Sequence, residues 1–160
     1  MMRIDPTDAG PRSTTRASAH DVFVAILHVS KVVQDRLGAE LEPALGISPG
    51  QVEVLFYLAT APEGRLRMHE IGDRLLVNRT ATTRLVDHLE SRGLAERLVC
   101  EGDRRGVWAA ITGHGREMLL RAQPLIDGSL ERHVGAFVSQ DEMAAVQAVL
   151  GKILGGNAVR

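Results

Sequence analysis

Between Arg65 and Leu94 the chain reads RLRMHEIGDRLLVNRTATTRLVDHLESRGL, and this run restricts the fold more than any other part of the sequence. It carries two helical stripes separated by a break. Ile71, Leu75 and Leu76 form the first, Val77 and Asn78 interrupt it, and Thr82, Leu85, Val86 and Leu89 form the second. Asn78 suits a helix N-cap, because its side-chain oxygen accepts from a backbone N–H that the helix leaves unpaired. Gly93 supplies a stop, since only glycine enters the left-handed conformation without steric cost. Two short helices joined by a tight break predict a helix-turn-helix. Directly behind it, LAERLVC and VWAAIT are short β-compatible runs around EGDRRG, where Gly102 and Gly106 permit a turn. A two-stranded hairpin follows, with Val99, Val107, Trp108 and Ile111 along it.

The flanks are helical. From His20 to about Leu41, Val22, Ile26, Val29, Val33 and Leu37 recur at helical spacing, and Phe23, Leu27 and Val32 widen the stripe. A second helix runs through LGISPGQVEVLFYLATAPEG, with Ser48 as N-cap, Pro49 in the first turn and Pro62–Gly64 closing it. Behind the hairpin Thr112 caps a long helix in which Pro124 predicts either a kink or a break. Ser139 and Glu142 form a capping box for a last helix with an apolar stripe of Met143, Val146, Val149, Leu150 and Ile153. The expected class is mainly α (α+β winged helix): a winged helix-turn-helix lobe with a two-stranded β wing, flanked by N- and C-terminal dimerisation helices. The segments are a flexible lead-in over 1–18, a dimerisation helix over 19–44, the winged lobe over 45–112, dimerisation helices over 113–156 and a tail over 157–160.

Placing Leu85, Val86 and Leu89 inward leaves Arg79, Thr80, Thr83, Arg84 and Asp87 on the other side of the second helix. A major groove is wide enough to admit such a helix. Its hydroxyls and guanidinium groups suit base edges and phosphates, and its N-terminus favours anions. A solvated helix face would carry similar residues; the hairpin directly behind tips the balance towards DNA. The formal net charge is −1, so any basic surface depends on how charges are arranged.

Other function classes find less support. There is no glycine-rich phosphate loop, no His-Glu-x-x-His and no serine nucleophile elbow, so no enzyme is expected. The six histidines include no closely spaced pair, and neither a metal nor another cofactor is expected. The single cysteine, Cys100, excludes an internal disulfide and reads as a small buried filler in the wing. No apolar run approaches the ~20 residues that span a bilayer, and the lead-in lacks an apolar signal core, so a cytoplasmic location is expected.

RTATTRLVDHLESRGLAERL, followed by EGDRRGVWAAITGHG, resembles the multiple-antibiotic-resistance-regulator (MarR) family of winged-helix transcription factors. The resemblance extends over nearly all of the chain after about residue 18. Its most specific elements are the acid–Arg–Arg turn behind the helix and the Ile-Thr-x-x-Gly helix start. It implies a homodimer with interlocked terminal helices, which the wide stripes at 22–37 and 143–153 favour independently. It also implies a recognition helix over about 79–92, with the wing, 101–106, in or near the minor groove. A twofold dimer would set two recognition helices ~34 Å apart on a pseudo-palindromic operator of double-stranded DNA. Arg104 is then assigned to a minor groove or flanking phosphate, and Arg105 to a pair with Asp87 that braces the wing. The family implies a repressor released by a small, often phenolic or anionic effector, held between the dimerisation helices and the lobe. His28, Phe56 and Tyr57 are candidates for that site or for core packing. The alternatives are a winged helix that docks protein and a DNA-binding regulator without a ligand.

Overall fold

The computed structural model describes residues 18–99 and 107–156. Cys100, Gly102, Arg104, Arg105 and Gly106 lie outside the described residues, as do the lead-in before Ser18 and the tail after Gly156. The order is α1 (Ala19–Leu45), α2 (Pro49–Thr60), β1 (Arg65–Arg67), α3 (Met68–Leu75), α4 (Arg79–Ser91), β2 (Ala95–Val99), β3 (Val107–Ile111), α5 (Gly113–His133) and α6 (Gln140–Gly156). This is the winged helix-turn-helix order, mainly α with a small antiparallel sheet. The chain divides after Val32, within α1, into two compact units.

Up to Val32, α1 is held at its start by Ser18. Its hydroxyl accepts from the Asp21 N–H at 3.1 Å, and the Asp21 carboxylate accepts from the Ser18 N–H at 2.9 Å. The Ser18 hydroxyl also donates to the Asp21 carboxylate at 2.7 Å, and this bond together with that from the Ser18 N–H favours the charged carboxylate and lowers the Asp21 pKa. The apolar stripe beyond the cap is uncovered: Val22, Phe23, Ile26, Leu27, Val29 and Val32 are all exposed.

In the second unit, Val54, Leu55 and Leu58 of α2 are completely buried, with Ile71, Val86, Leu89 and Leu94 around them. Met118 and Ala122 of α5 close the same core. Leu55→Ala is expected to cost about 2–5 kcal/mol, because the atoms removed leave a cavity among fixed neighbours; urea unfolding measures it. Where α1 ends, Arg92 at the end of α4 donates to the Leu45 carbonyl at 3.0 Å and also to that of Gly46. A cation there neutralises the negative end of a 27-residue helix.

The sheet departs from expectation by having three strands, in the order β1-β3-β2. The hairpin partners β2 and β3 pair Ala95 with Ile111 through Val99 with Val107, and β1 adds on the far edge of β3, Arg67 opposite Trp108. Leu76 also departs from expectation. It is 87% exposed and lies at φ 54, because it makes the left-handed turn that ends α3 and so cannot join the stripe of Ile71 and Leu75. At Pro124 the helix continues: α5 runs unbroken from Gly113 to His133.

Near its end α5 is tied to α1 by Glu40. Ser129 donates its hydroxyl to Glu40 Oε1 at 3.1 Å, while Arg132 Nη2 and His133 Nε2 lie 2.5 and 3.4 Å from the carboxylate. Partial burial opposes the charge on Glu40, but the Ser129 hydrogen bond, the Arg132 cation and the His133 hydrogen bond together outweigh it and lower its pKa. A carboxyl depressed by folding contributes stability above its unfolded pKa, and that contribution is lost as pH falls through the lowered folded value. Glu40→Gln is therefore expected to melt below the parent at pH 7, with the gap closing below about pH 4. Melting curves at both pH values check this.

Candidate nucleic-acid interface

The helix-turn-helix is built by local capping. Asn78 Oδ1 accepts from the Ala81 N–H at 3.0 Å and so fixes where α4 starts. At the other end Gly93 takes φ 66, letting its N–H reach the Glu90 carbonyl and that of Leu94 reach Leu89, both at 2.9 Å. The buried side of α4 is Thr82, Val86 and Leu89. On the opposite side Arg79, Thr80, Arg84 and Asp87 are exposed and Thr83 is half-buried. No acid occupies the first turn of α4, so two arginines and the positive end of the helix act together.

Arg79 and Thr83 line a groove of about 510 Å³ whose other walls include Arg67, His69 and Arg97. Sequence reasoning missed Arg67. Its guanidinium lies 5.0 Å from the Trp108 ring centroid and that of Arg65 lies at 5.2 Å, so two cations from one strand flank one indole. The arrangement follows from strand register, since residues 65 and 67 point to the same side of β1. The pairing of β1 with β3 sets Trp108 opposite Arg67.

Arg97 of β2 was missed as well. Its Nη1 lies 2.5 Å from Asp87 and 2.8 Å from Glu90, and its backbone N–H donates to Glu90 at 3.3 Å. The acids at 87 and 90, one turn apart on α4, clamp β2 to that helix. Asp87 thus has a partner in Arg97, while Arg105, the partner expected for it, lies outside the described residues. A second tether runs inward. Gln51 Oε1 accepts from the Ser48 N–H at 2.9 Å, so its amide nitrogen faces His88 Nδ1 at 2.6 Å. Nδ1 must accept there, which places the ring proton of neutral His88 on Nε2.

A larger groove of about 790 Å³ lies between α1 beyond residue 33, α2, the α3–α4 break and α5. Phe56 lines it; Tyr57 is half-buried beside it, edge-on to Phe56 at 5.8 Å, and donates its hydroxyl to Glu53 at 3.2 Å. Burial, and then the Glu53 charge, raise the Tyr57 pKa. His28 is exposed on α1, before Val32. Among the described residues no three His, Cys, Asp or Glu side chains are grouped to hold a metal, and no helix is long and apolar enough to cross a membrane.

The sequence model of the MarR family matches residues 45–106. The chain is 29% identical over 143 residues to the multiple antibiotic resistance protein MarR of Escherichia coli K12, covering 86% of this chain and 98% of that one. A mutant of E. coli MarR, solved in complex with operator DNA, is similar in structure with a TM-score of 0.72 and 25% identity, over 86% of this chain and 99% of that one. Sco3205, a MarR family regulator from Streptomyces coelicolor solved in complex with DNA, has a TM-score of 0.77 over 88% and 92% of the two chains; at 24% identity it attests the fold alone. With the element order, the capped helix α4 and the three-stranded sheet in agreement, the chain is similar in sequence and in fold to the MarR family of winged-helix transcriptional regulators.

Proposed function

We propose that the chain is a homodimeric, sequence-specific DNA-binding regulator, a repressor that a small molecule releases from a pseudo-palindromic operator. The observation that carries this is the exposed side of α4, where Arg79, Thr80 and Arg84 stand opposite the buried Thr82, Val86 and Leu89. Thr83 and Arg67 flank it on the groove side. The E. coli relative solved on operator DNA supports the same assignment. Dimerisation is supported by two apolar stripes that the single chain leaves uncovered. One is on α1; the other, on α6, includes Val146, Val149, Ile153 and Leu154, and α6 has no buried residue. Exposed apolar surface of this kind marks an interface. The larger groove supports a small-molecule effector, being within the roughly 300–1,000 Å³ of drug-sized sites.

Light scattering is expected to give twice the chain mass, and selection from a random DNA pool is expected to return an inverted repeat with half-sites about 10 base pairs apart. A monomer, or a pool without enrichment, would favour the protein-docking alternative; enrichment that no ligand relieves would favour the ligand-independent one. Affinity should fall with salt at a log–log slope near −0.9 for each phosphate neutralised. Arg104, assigned to a phosphate or minor groove, is expected to account for about one contact, so Arg104→Ala should make the slope shallower by about 1.

A further inference from the structure

We propose that the groove between α1, α2 and α5 takes an amphiphilic organic cation, in contrast to the phenolic or anionic effectors implied by the family resemblance. The inference rests on the small-molecule effector reading above and names the chemical class of that effector.

The charged side chains lining the groove are Asp35, Glu42 and Glu53; no Lys, Arg or His is among the described lining residues. Asp35 and Glu42 are seven residues apart on α1, two helical turns, and therefore share a side. Glu53 comes from α2, and the Tyr57 hydroxyl, donating at 3.2 Å, holds its carboxylate in place. Most of the remaining wall is apolar, with Leu41, Val52, Leu119 and Ile126 contributing. Phe56 lines the groove with half its surface exposed, presenting an aromatic ring to which a cation is attracted. Between the two acids of α1 sits Gly38, where a Cβ would lie 3.7 Å from Pro49 Cδ and 3.9 Å from Glu42 Oε1. The missing side chain keeps the groove open beside the carboxylate. An anion placed here would meet the exposed carboxylates of Glu42 and Glu53, and no Lys, Arg or His is among the described lining residues to offset them. A cation with an apolar body matches both the charge and the wall.

Tetraphenylphosphonium and tetraphenylborate have the same shape and opposite charge, so calorimetry on the full chain without DNA isolates the sign. The phosphonium is expected to bind at least about tenfold more tightly than the borate. Glu42→Gln and Glu53→Gln, which keep side-chain shape, should each weaken the phosphonium about three- to tenfold and leave the borate equal or stronger. Gly38→Leu, which fills the groove, should weaken both ions. Melting temperatures identify any variant that fails to fold, and either glutamine variant alone suffices to test the charge. Equal or tighter borate binding, or phosphonium binding indifferent to both glutamine variants, overturns the proposal. If the borate binds and Gly38→Leu abolishes it, the groove remains an effector site and only the charge assignment fails. If neither ion binds, the charge assignment and the effector reading of this groove both fail.

Discussion

The Thr83→Ala/Arg84→Ala double variant is expected to lose roughly 30- to 1,000-fold in operator affinity, about 2–4 kcal/mol, while its stability stays within about 1 kcal/mol of the parent. The asymmetry follows from where the two side chains stand. Arg84 is exposed and Thr83 is half-buried at the edge of a groove, so neither fills core volume. Alanine is also the better helix former, by about 0.5 kcal/mol against threonine, which offsets any packing lost at position 83. Against DNA the same positions are central. A bidentate guanidinium on a base contributes about 1–3 kcal/mol of discrimination, and a hydroxyl on a base edge or phosphate adds less. Titration against the selected operator and a scrambled duplex separates the two kinds of contact. Loss on the operator alone means base reading; equal loss on both means phosphate contact. Unchanged affinity on both would take α4 out of the groove and with it the proposed function.

Much of this site was legible because helix boundaries are written in short-range chemistry. Ser48, Asn78, Thr112 and Ser139 are each of a type that accepts from a backbone N–H a few residues on. All four do so, from the N–H of Gln51 at 3.4 Å, Ala81 at 3.0 Å, Gly115 at 3.0 Å and Glu142 at 3.4 Å. A cap acts over three residues, so the sequence alone contains both partners. Thr82 was equally legible as an inward residue, since helical spacing puts it in line with Val86 and Leu89.

What was not legible depends on partners distant in the chain or on backbone geometry. The strand β1 is three residues long, two of them arginine, and it exists because Leu66 is buried and β3 lies alongside. Nothing in Arg-Leu-Arg announces a pairing with residues more than forty positions later. The link from Arg97 to Asp87 and Glu90 crosses the end of α4, so it requires knowing how β2 turns back along that helix. Leu76 misled because hydrophobic pattern ignores φ: the residue that ends α3 in a left-handed turn leaves the stripe whatever its polarity. The acidic lining of the larger groove was hidden for the same reason as β1. Asp35 and Glu42 are separated from Glu53 by the turn between α1 and α2, and each alone reads as a solvated helix charge.

Gly115→Ala is expected to be among the most damaging single-methyl additions in the lobe, costing about 3 kcal/mol or more. A Cβ built at position 115 falls 2.1 Å from the Leu94 carbonyl oxygen and 2.9 Å from Ile111 Cγ1. The nearer atom is backbone and cannot rotate aside. Moving it would disturb a connected set of bonds: Leu94 accepts from the Thr112 N–H at 3.2 Å and donates to Leu89 at 2.9 Å, and Thr112 donates its hydroxyl to Gly93 at 2.7 Å. Each such bond contributes about 1 kcal/mol, and Leu94 itself is completely buried. The close approach of α5 to Leu94, just behind α4, therefore accounts for the glycine of the Ile-Thr-x-x-Gly start. Gly113, two residues earlier in the same helix, is the internal control. Nothing lies within 4 Å of its added Cβ, so Gly113→Ala should be neutral or stabilise by up to about 1 kcal/mol through helix propensity. Urea unfolding followed by the fluorescence of the one tryptophan, Trp108 in β3, measures both variants. Equal stability of the two would mean that α5 can slide away from Leu94 at little cost, and that the glycine is not held there by sterics.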